Sequence, residues 1–225
     1  MDLPRARQRM VEAIAARGVT DVRVLAAMSR IPRHRFVEEP FRDRAYGDHP
    51  LPIGEKQTIS QPLTVARMTE ALELTGRERV LEIGTGSGYH TAVLAELSEK
   101  VYSLERVASL AFKARRLLDE LGYHNVVIWH RDGSFGWREE APFDAILAAA
   151  AAPSVPRALV EQLAPGGRLV IPIGPVTGQT LVRLRKPAGG GPIVEESLGP
   201  CKFVEFIGDG FGTPAGEEAT ASWTS

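Results

Sequence analysis

The stretch from Val80 to Arg106 limits what this chain can become more than any other. An apolar run, Val80-Leu81-Glu82-Ile83, turns through Gly84-Thr85-Gly86-Ser87-Gly88 into a helical pattern carried by Ala92, Val93, Leu94 and Leu97. A second apolar run, Val101-Tyr102-Ser103-Leu104, then stops at Glu105. Strand, glycine turn, helix and strand make a βαβ unit with nucleotide-binding logic. The glycines let the backbone turn sharply and let a ligand approach where a Cβ would collide.

An acid at the tip of the second strand suits a ribose. Glu105 can accept from both hydroxyls of an adenosine ribose, each charge-assisted bond being worth roughly 1.5–3 kcal/mol. The glycine spacing then separates two cofactor classes. A dinucleotide fingerprint wants glycine three residues after the second glycine, where this chain has Tyr89, and the additional glycine comes early, at Gly88. G-x-G-x-G suits S-adenosylmethionine better than a nicotinamide dinucleotide.

The same alternation runs through the rest of the chain. Helical spacing predicts two leading helices, Arg5 to Arg17 and one capped by Asp21 that ends before Ile31-Pro32. Residues 32–61 read as an ordered loop pegged by Phe36, Phe41, Tyr46, Leu51 and Ile53, and a loop of that length is a site candidate. Pro62 opens a helix through Leu74, closed by Gly76, and Ser60 is placed to cap it. Helices over Val107–Leu121 and Val155–Leu163 alternate with strands over Val126–Trp129, Phe143–Leu147 and Arg168–Ile173. Two alternating runs, Thr180–Arg185 and Lys202–Ile207, read as antiparallel edge strands. The expected fold class is α/β, a doubly wound, mostly parallel sheet with antiparallel C-terminal edge strands and N-terminal helices. The expected organisation is one domain over 1–212, comprising helices and loop (1–75), a cofactor-binding core (76–174) and a C-terminal β segment (175–212). A mobile tail over 213–225 would follow.

Composition narrows the function. A formal net charge of −1 gives no reason to expect nucleic acid or an anionic membrane as a partner. MDLPRARQRM lacks the apolar core of a secretory signal and no run reaches membrane-spanning length, so a cytoplasmic protein is expected. The single cysteine, Cys201, excludes an internal disulfide and a multi-cysteine metal site and reads as a packing residue. His34, His49, His90, His124 and His130 show no ligand-like spacing and read as surface or turn residues, with His90 near enough to the glycine turn to touch cofactor. No metal is expected.

Several segments together resemble the protein-L-isoaspartate (D-aspartate) O-methyltransferase family over about Met10 to Gly212. The most specific part is Ala45-Tyr46-Gly47-Asp48-His49-Pro50-Leu51-Pro52-Ile53-Gly54 followed by Gln57-Thr58-Ile59-Ser60-Gln61-Pro62. Ile31 to Val37, Leu81 to Leu94 and Gly166 to Gly174 are similar to the family's entry segment, cofactor motif and late strand. The resemblance implies a class I, Rossmann-like methyltransferase that moves a methyl group from S-adenosylmethionine to the free α-carboxylate of L-isoaspartyl residues in damaged proteins, leaving S-adenosylhomocysteine. It implies cofactor binding by Thr58, Glu82, Gly84, Gly86, Gly88, Glu105, Asp132 and Gly133, substrate binding by Ile59, Ser60 and Val204, and Ser60 as the catalytic residue. It implies isoaspartyl proteins and peptides as partners, acted on by a monomer.

Departures from the family pattern are His90 for glutamine, Ala148 to Ala150 in place of a threonine-containing stretch, and Glu205 for a proline in a wall of the peptide groove. Glu205 and the alanine run keep open methylation of another carboxylate-bearing peptide or small molecule. A non-catalytic cofactor-binding protein is the third reading. Few catalytic groups are needed in any case, because a carboxylate with pKa near 4 is ionised at neutral pH. Alignment and water exclusion can supply roughly 7–11 kcal/mol of barrier reduction.

Overall fold

The computed structural model describes residues 2–211. Helix α1, Leu3–Ala16, opens at Asp2, whose carboxylate accepts from Arg5 N, and α2, Val22–Arg30, opens at Asp21 in the same way. Each cap satisfies an amide that the first helical turn leaves without a partner. Helix α2 stops at Ile31, which is extended ahead of Pro32.

The expected loop is only partly loop. After two 3-10 turns the chain forms a hairpin, β1 (Leu51–Gly54) with antiparallel β2 (Gln57–Ile59). Its reversal uses Glu55 and Lys56 with φ of 52° and 57°. A two-residue turn of that hand usually takes Asn or Gly, so nothing in the sequence announced it.

Helix α3, Pro62–Ala71, is shorter than expected. Glu73 already has φ 51°, and its carboxylate pairs with Arg168, Arg183 and Arg185, so ion pairs to the sheet end the helix before Gly76. The glycine unit follows as β3 (Arg79–Ile83), α4 (Tyr89–Ala95) and β4 (Lys100–Glu105). Then come α5 (Ala108–Glu120), β5 (Val126–His130), β6 (Phe143–Ala148), α6 (Arg157–Gln162), β7 (Leu163–Ile173), β8 (Gln179–Arg185) and β9 (Val194–Cys201).

One seven-stranded sheet results, ordered β5-β4-β3-β6-β7-β8-β9, with β8 and β9 antiparallel and the others parallel. Successive residues bury on opposite faces: Val80, Ala145 and Leu147 pack under α1 to α5, while Leu81 and Ile146 pack with Trp137 and Leu159. The strand order reverses between β3 and β6, which opens a crevice above their carboxyl ends.

The last strand is not where the alternating pattern placed it. Strand β9 is Val194–Cys201, largely exposed, with Glu196 opposite Arg183 and ion-paired to it. An edge strand held by cross-strand charge pairs carries no apolar alternation to read. Lys202–Ile207 instead crosses the top of the sheet. Ala151 N donates to Val204 O and Phe206 N to Ala151 O, both at 2.8 Å. The expected tail, 213–225, lies outside the described residues.

Among the described residues no helix is long and apolar enough to cross a membrane.

Candidate active site

Gly84, Gly86 and Gly88 have φ of 93°, 52° and 86°, which L side chains rarely adopt. Their surroundings differ. Gly84 and Gly86 line a chamber of about 910 Å³, counted out to its open mouth. Gly88 faces the other way, and a Cβ on it would stand 3.3 Å from both Ala114 Cβ and Leu118 Cδ1 of α5. The third glycine therefore makes a close contact with α5 and is not among the residues lining the chamber.

Glu105 is 7% exposed and lines the chamber. Its Oε2 accepts from Gly86 N and its Oε1 from Val107 N, each at 2.8 Å, so the carboxylate ties the glycine turn to the start of α5. The lone pairs left over remain available to a ribose.

Glu82 sits deeper. It is fully buried beneath the turn and does not line the chamber. Thr91 Oγ1 and Ser103 Oγ both donate to its Oε2 at 2.6 Å, and Thr85 Oγ1 lies 2.6 Å from Ser103 Oγ. Burial raises its pKa to about 7 against the pull of those hydroxyls.

His90 is no surface residue. It is buried in the chamber wall, and burial lowers its pKa to about 3. Thr69 Oγ1 spends its proton on Val65 O, so His90 Nε2, 3.0 Å away, donates to Thr69 and the ring is neutral.

At the other end of the chamber Gly133 packs so tightly on Ile83 that a Cβ would collide with Cγ2. Asp132, beside Gly133, is not itself in the chamber lining. Its Oδ1 accepts from Ser134 N (2.8 Å) and Ser134 Oγ (2.7 Å), and its Oδ2 from Asp209 N (2.7 Å). Burial alone would raise its pKa, yet these donors hold it below the ordinary carboxylate value.

A second, larger groove of about 1560 Å³ adjoins the chamber. Thr58, Ser60, Ala149 and Val204 line both spaces, so the neck between them is built from the β2 end, the β6 end and the crossing segment. Ile59 faces the chamber.

Ser60 is not the helix cap. The cap position of α3 is Gln61, with no side-chain bond, and Leu63 N is taken by Asp48 Oδ1 at 3.0 Å. The Ser60 carbonyl accepts from Arg33 Nη2 at 2.8 Å. Glu205, expected in the groove wall, lines the cofactor-side chamber instead, while Arg67, Cys201 and Lys202 line the groove.

Arg33, Tyr89, Thr85 and Ala149 were missed as site residues. Thr85 within the glycine turn and Tyr89 directly after it carried a positional signal, and Ala149 lies in the alanine run; Arg33 carried none.

A family model described as protein-L-isoaspartate(D-aspartate) O-methyltransferase matches residues 5–209. The chain is 59% identical over 205 residues to a protein-L-isoaspartate O-methyltransferase of Syntrophus aciditrophicus, covering 90% of this chain and 94% of that one. It is 58% identical over 215 residues to a namesake from Geobacter metallireducens, covering 95% and 99%. Among solved structures it is similar to a protein-L-isoaspartate O-methyltransferase with TM-score 0.81 at 29% identity, covering 90% of this chain and 66% of that one. A Plasmodium falciparum structure assigned to the same enzymes, in complex with S-adenosyl-L-homocysteine, matches with TM-score 0.78 at 28% identity, covering 89% and 98%. The chain belongs to the protein-L-isoaspartate (D-aspartate) O-methyltransferase family.

Proposed function

We propose that this chain repairs damaged proteins by methylating the free α-carboxylate of L-isoaspartyl residues with S-adenosylmethionine as donor. The observation that carries the reading is the four-residue neck, Thr58, Ser60, Ala149 and Val204, at which the cofactor chamber meets the groove. The chamber fits the donor by its own construction. Gly84 and Gly86 leave room that a Cβ would narrow to 3.5 Å against Ala149 and Ile53, and Glu105 offers a ribose acceptor fixed by two amides. In this reading Gly84, Gly86 and Glu105 hold the donor, Gly133 closes its far end, and Thr58 and Ile59 cover its reactive end.

When bound, S-adenosylmethionine supplies a methyl group on a sulfonium, which a carboxylate oxygen takes as sulfur leaves as a neutral thioether. The chain's residues orient and dehydrate. Ser60 Oγ, which caps nothing, is free to donate to one carboxylate oxygen and so aim the other, while Val204 and Ala149 exclude water from the neck. No general base is required, because the substrate arrives ionised. The neutral His90, hydrogen-bonded to Thr69, shapes the wall without taking a proton.

An isoaspartyl peptide incubated with labelled donor is expected to gain a base-labile methyl ester, and its aspartyl twin none. Equal labelling of the two, or none of either, would refute the assignment. The position of Glu205 on the chamber side weakens one ground for another substrate, while Ala149 of the alanine run does line the neck.

A further inference from the structure

Arg33 is 0% exposed, and among the described residues it forms no ion pair. Its Nε donates to Ala45 O at 2.7 Å and its Nη2 to Ser60 O at 2.8 Å, while its Cζ lies 4.6 Å from the centre of the Tyr89 ring. Among the described residues Arg33 Nη1 and Tyr89 Oη, both buried, have no hydrogen-bond partner. The acid whose field reaches Arg33 is Asp48, and that carboxylate is already paired with Arg17 and bonded by Leu63 N. Burial pulls the guanidinium down to about 10, which leaves it protonated at neutral pH.

An unpaired buried cation costs several kcal/mol, and two carbonyls and a ring face offset only part of that. Two of the residues it touches are functional walls: Ser60, bonded through its carbonyl, stands in the neck, and Tyr89, under the guanidinium, in the chamber. The charges that come to this place from outside are opposite in sign, a substrate carboxylate at Ser60 and a donor sulfonium in the chamber.

We propose that Arg33 is a positioning residue whose uncompensated charge, transmitted through the Ser60 backbone and across Tyr89, draws the substrate carboxylate into the neck and weighs against the sulfonium. This rests on the reading of the groove as an isoaspartyl site. The guanidinium also fixes where Ser60 stands, because it bonds that residue's carbonyl rather than its hydroxyl.

The test is Arg33→Met beside Arg33→Lys, read by peptide kinetics and by the affinities of S-adenosylmethionine and its uncharged product, S-adenosylhomocysteine. In Arg33→Met the KM for an isoaspartyl peptide should rise about tenfold. The charged donor should gain on the uncharged product by about threefold in relative affinity. Lysine should restore both. Parallel loss of both cofactor affinities without lysine rescue would mean packing alone and would overturn the proposal. Should Arg33→Met not fold, Asp48→Asn carries the opposite shift, with the donor losing ground to the product, and an unchanged or reversed ratio overturns it. Wild-type turnover of the peptide decides the substrate reading separately, since the donor-to-product ratio needs no peptide.

Discussion

Two charged side chains are wholly buried on either side of the neck, and they solve the same problem in opposite ways. Glu82, under the glycine turn, gathers hydroxyls from Thr91 and Ser103 and keeps its proton to about pH 7. Arg33, behind Ser60, has no such exit, because a guanidinium does not shed its proton in the physiological range, and it settles for carbonyls and a ring. A group that can become neutral thus lies beneath the donor side of the site, outside its lining, and one that cannot lies behind Ser60 on the acceptor side. The difference places the one fixed charge of the pair, a cation, behind Ser60 on the acceptor side, while Glu105 keeps a carboxylate in the lining of the donor side.

The largest expected effect tests the titrating half. Glu82 stays protonated to about pH 7 when folded but only to about 4.5 when unfolded, so its contribution is complete below pH 4.5 and is lost as pH rises to 7. His90 runs the other way. Its pKa falls from 6.5 to about 3, so its contribution is complete above 6.5 and is lost as pH drops towards 3. Between 4.5 and 6.5 the two slopes oppose, and wild-type stability should be nearly flat there in thermal or urea unfolding. Glu82→Gln should leave stability rising from pH 3 to 6.5 by up to roughly 5 kcal/mol, and His90→Gln should leave it falling from 4.5 to 7 by roughly 3 kcal/mol. A wild-type slope as steep as either variant's breaks the contrast.

The next effect is smaller and concerns the carboxylate beside Glu82. Glu105→Ala removes the acceptor for Gly86 N and Val107 N as well as the ribose, and should weaken cofactor binding by about 2 kcal/mol, near thirtyfold in Kd by calorimetry. Unaltered affinity would leave Glu105 a structural tie only. Smallest is Ser60→Ala, expected to lower kcat about tenfold while cofactor affinity and unfolding midpoint hold, since its hydroxyl caps no helix. A lowered midpoint with normal kcat would move Ser60 out of the chemistry.

The glycine unit was legible because strand, turn and helix leave three different periodicities in one short stretch, and the structure has β3, α4 and β4 there. The packing of Gly88 on Ala114 was not legible, since a glycine needed for close packing and one needed for a ligand look alike in sequence. The hairpin turn at Glu55 and Lys56 and the edge strand β9 lacked the residue types that signal such elements. Arg33 was hidden by its company, because a lone arginine in an Arg-rich segment reads as solvated until the fold buries it. Thr58, Ser60 and Val204 of the neck were named through the family resemblance, but that they meet one another and Ala149 had no local signal, as the four come from three distant parts of the chain.

The crossing segment at the top of the sheet also bears on how such a site changes over time. It is fastened by Val204 O and Phe206 N, and Glu205 has neither role in that pairing. A residue at that point can be exchanged, even for proline, without unfastening the segment. Position 205 is therefore a place where natural variation can retune the rim of the chamber while the architecture beneath it stays the same.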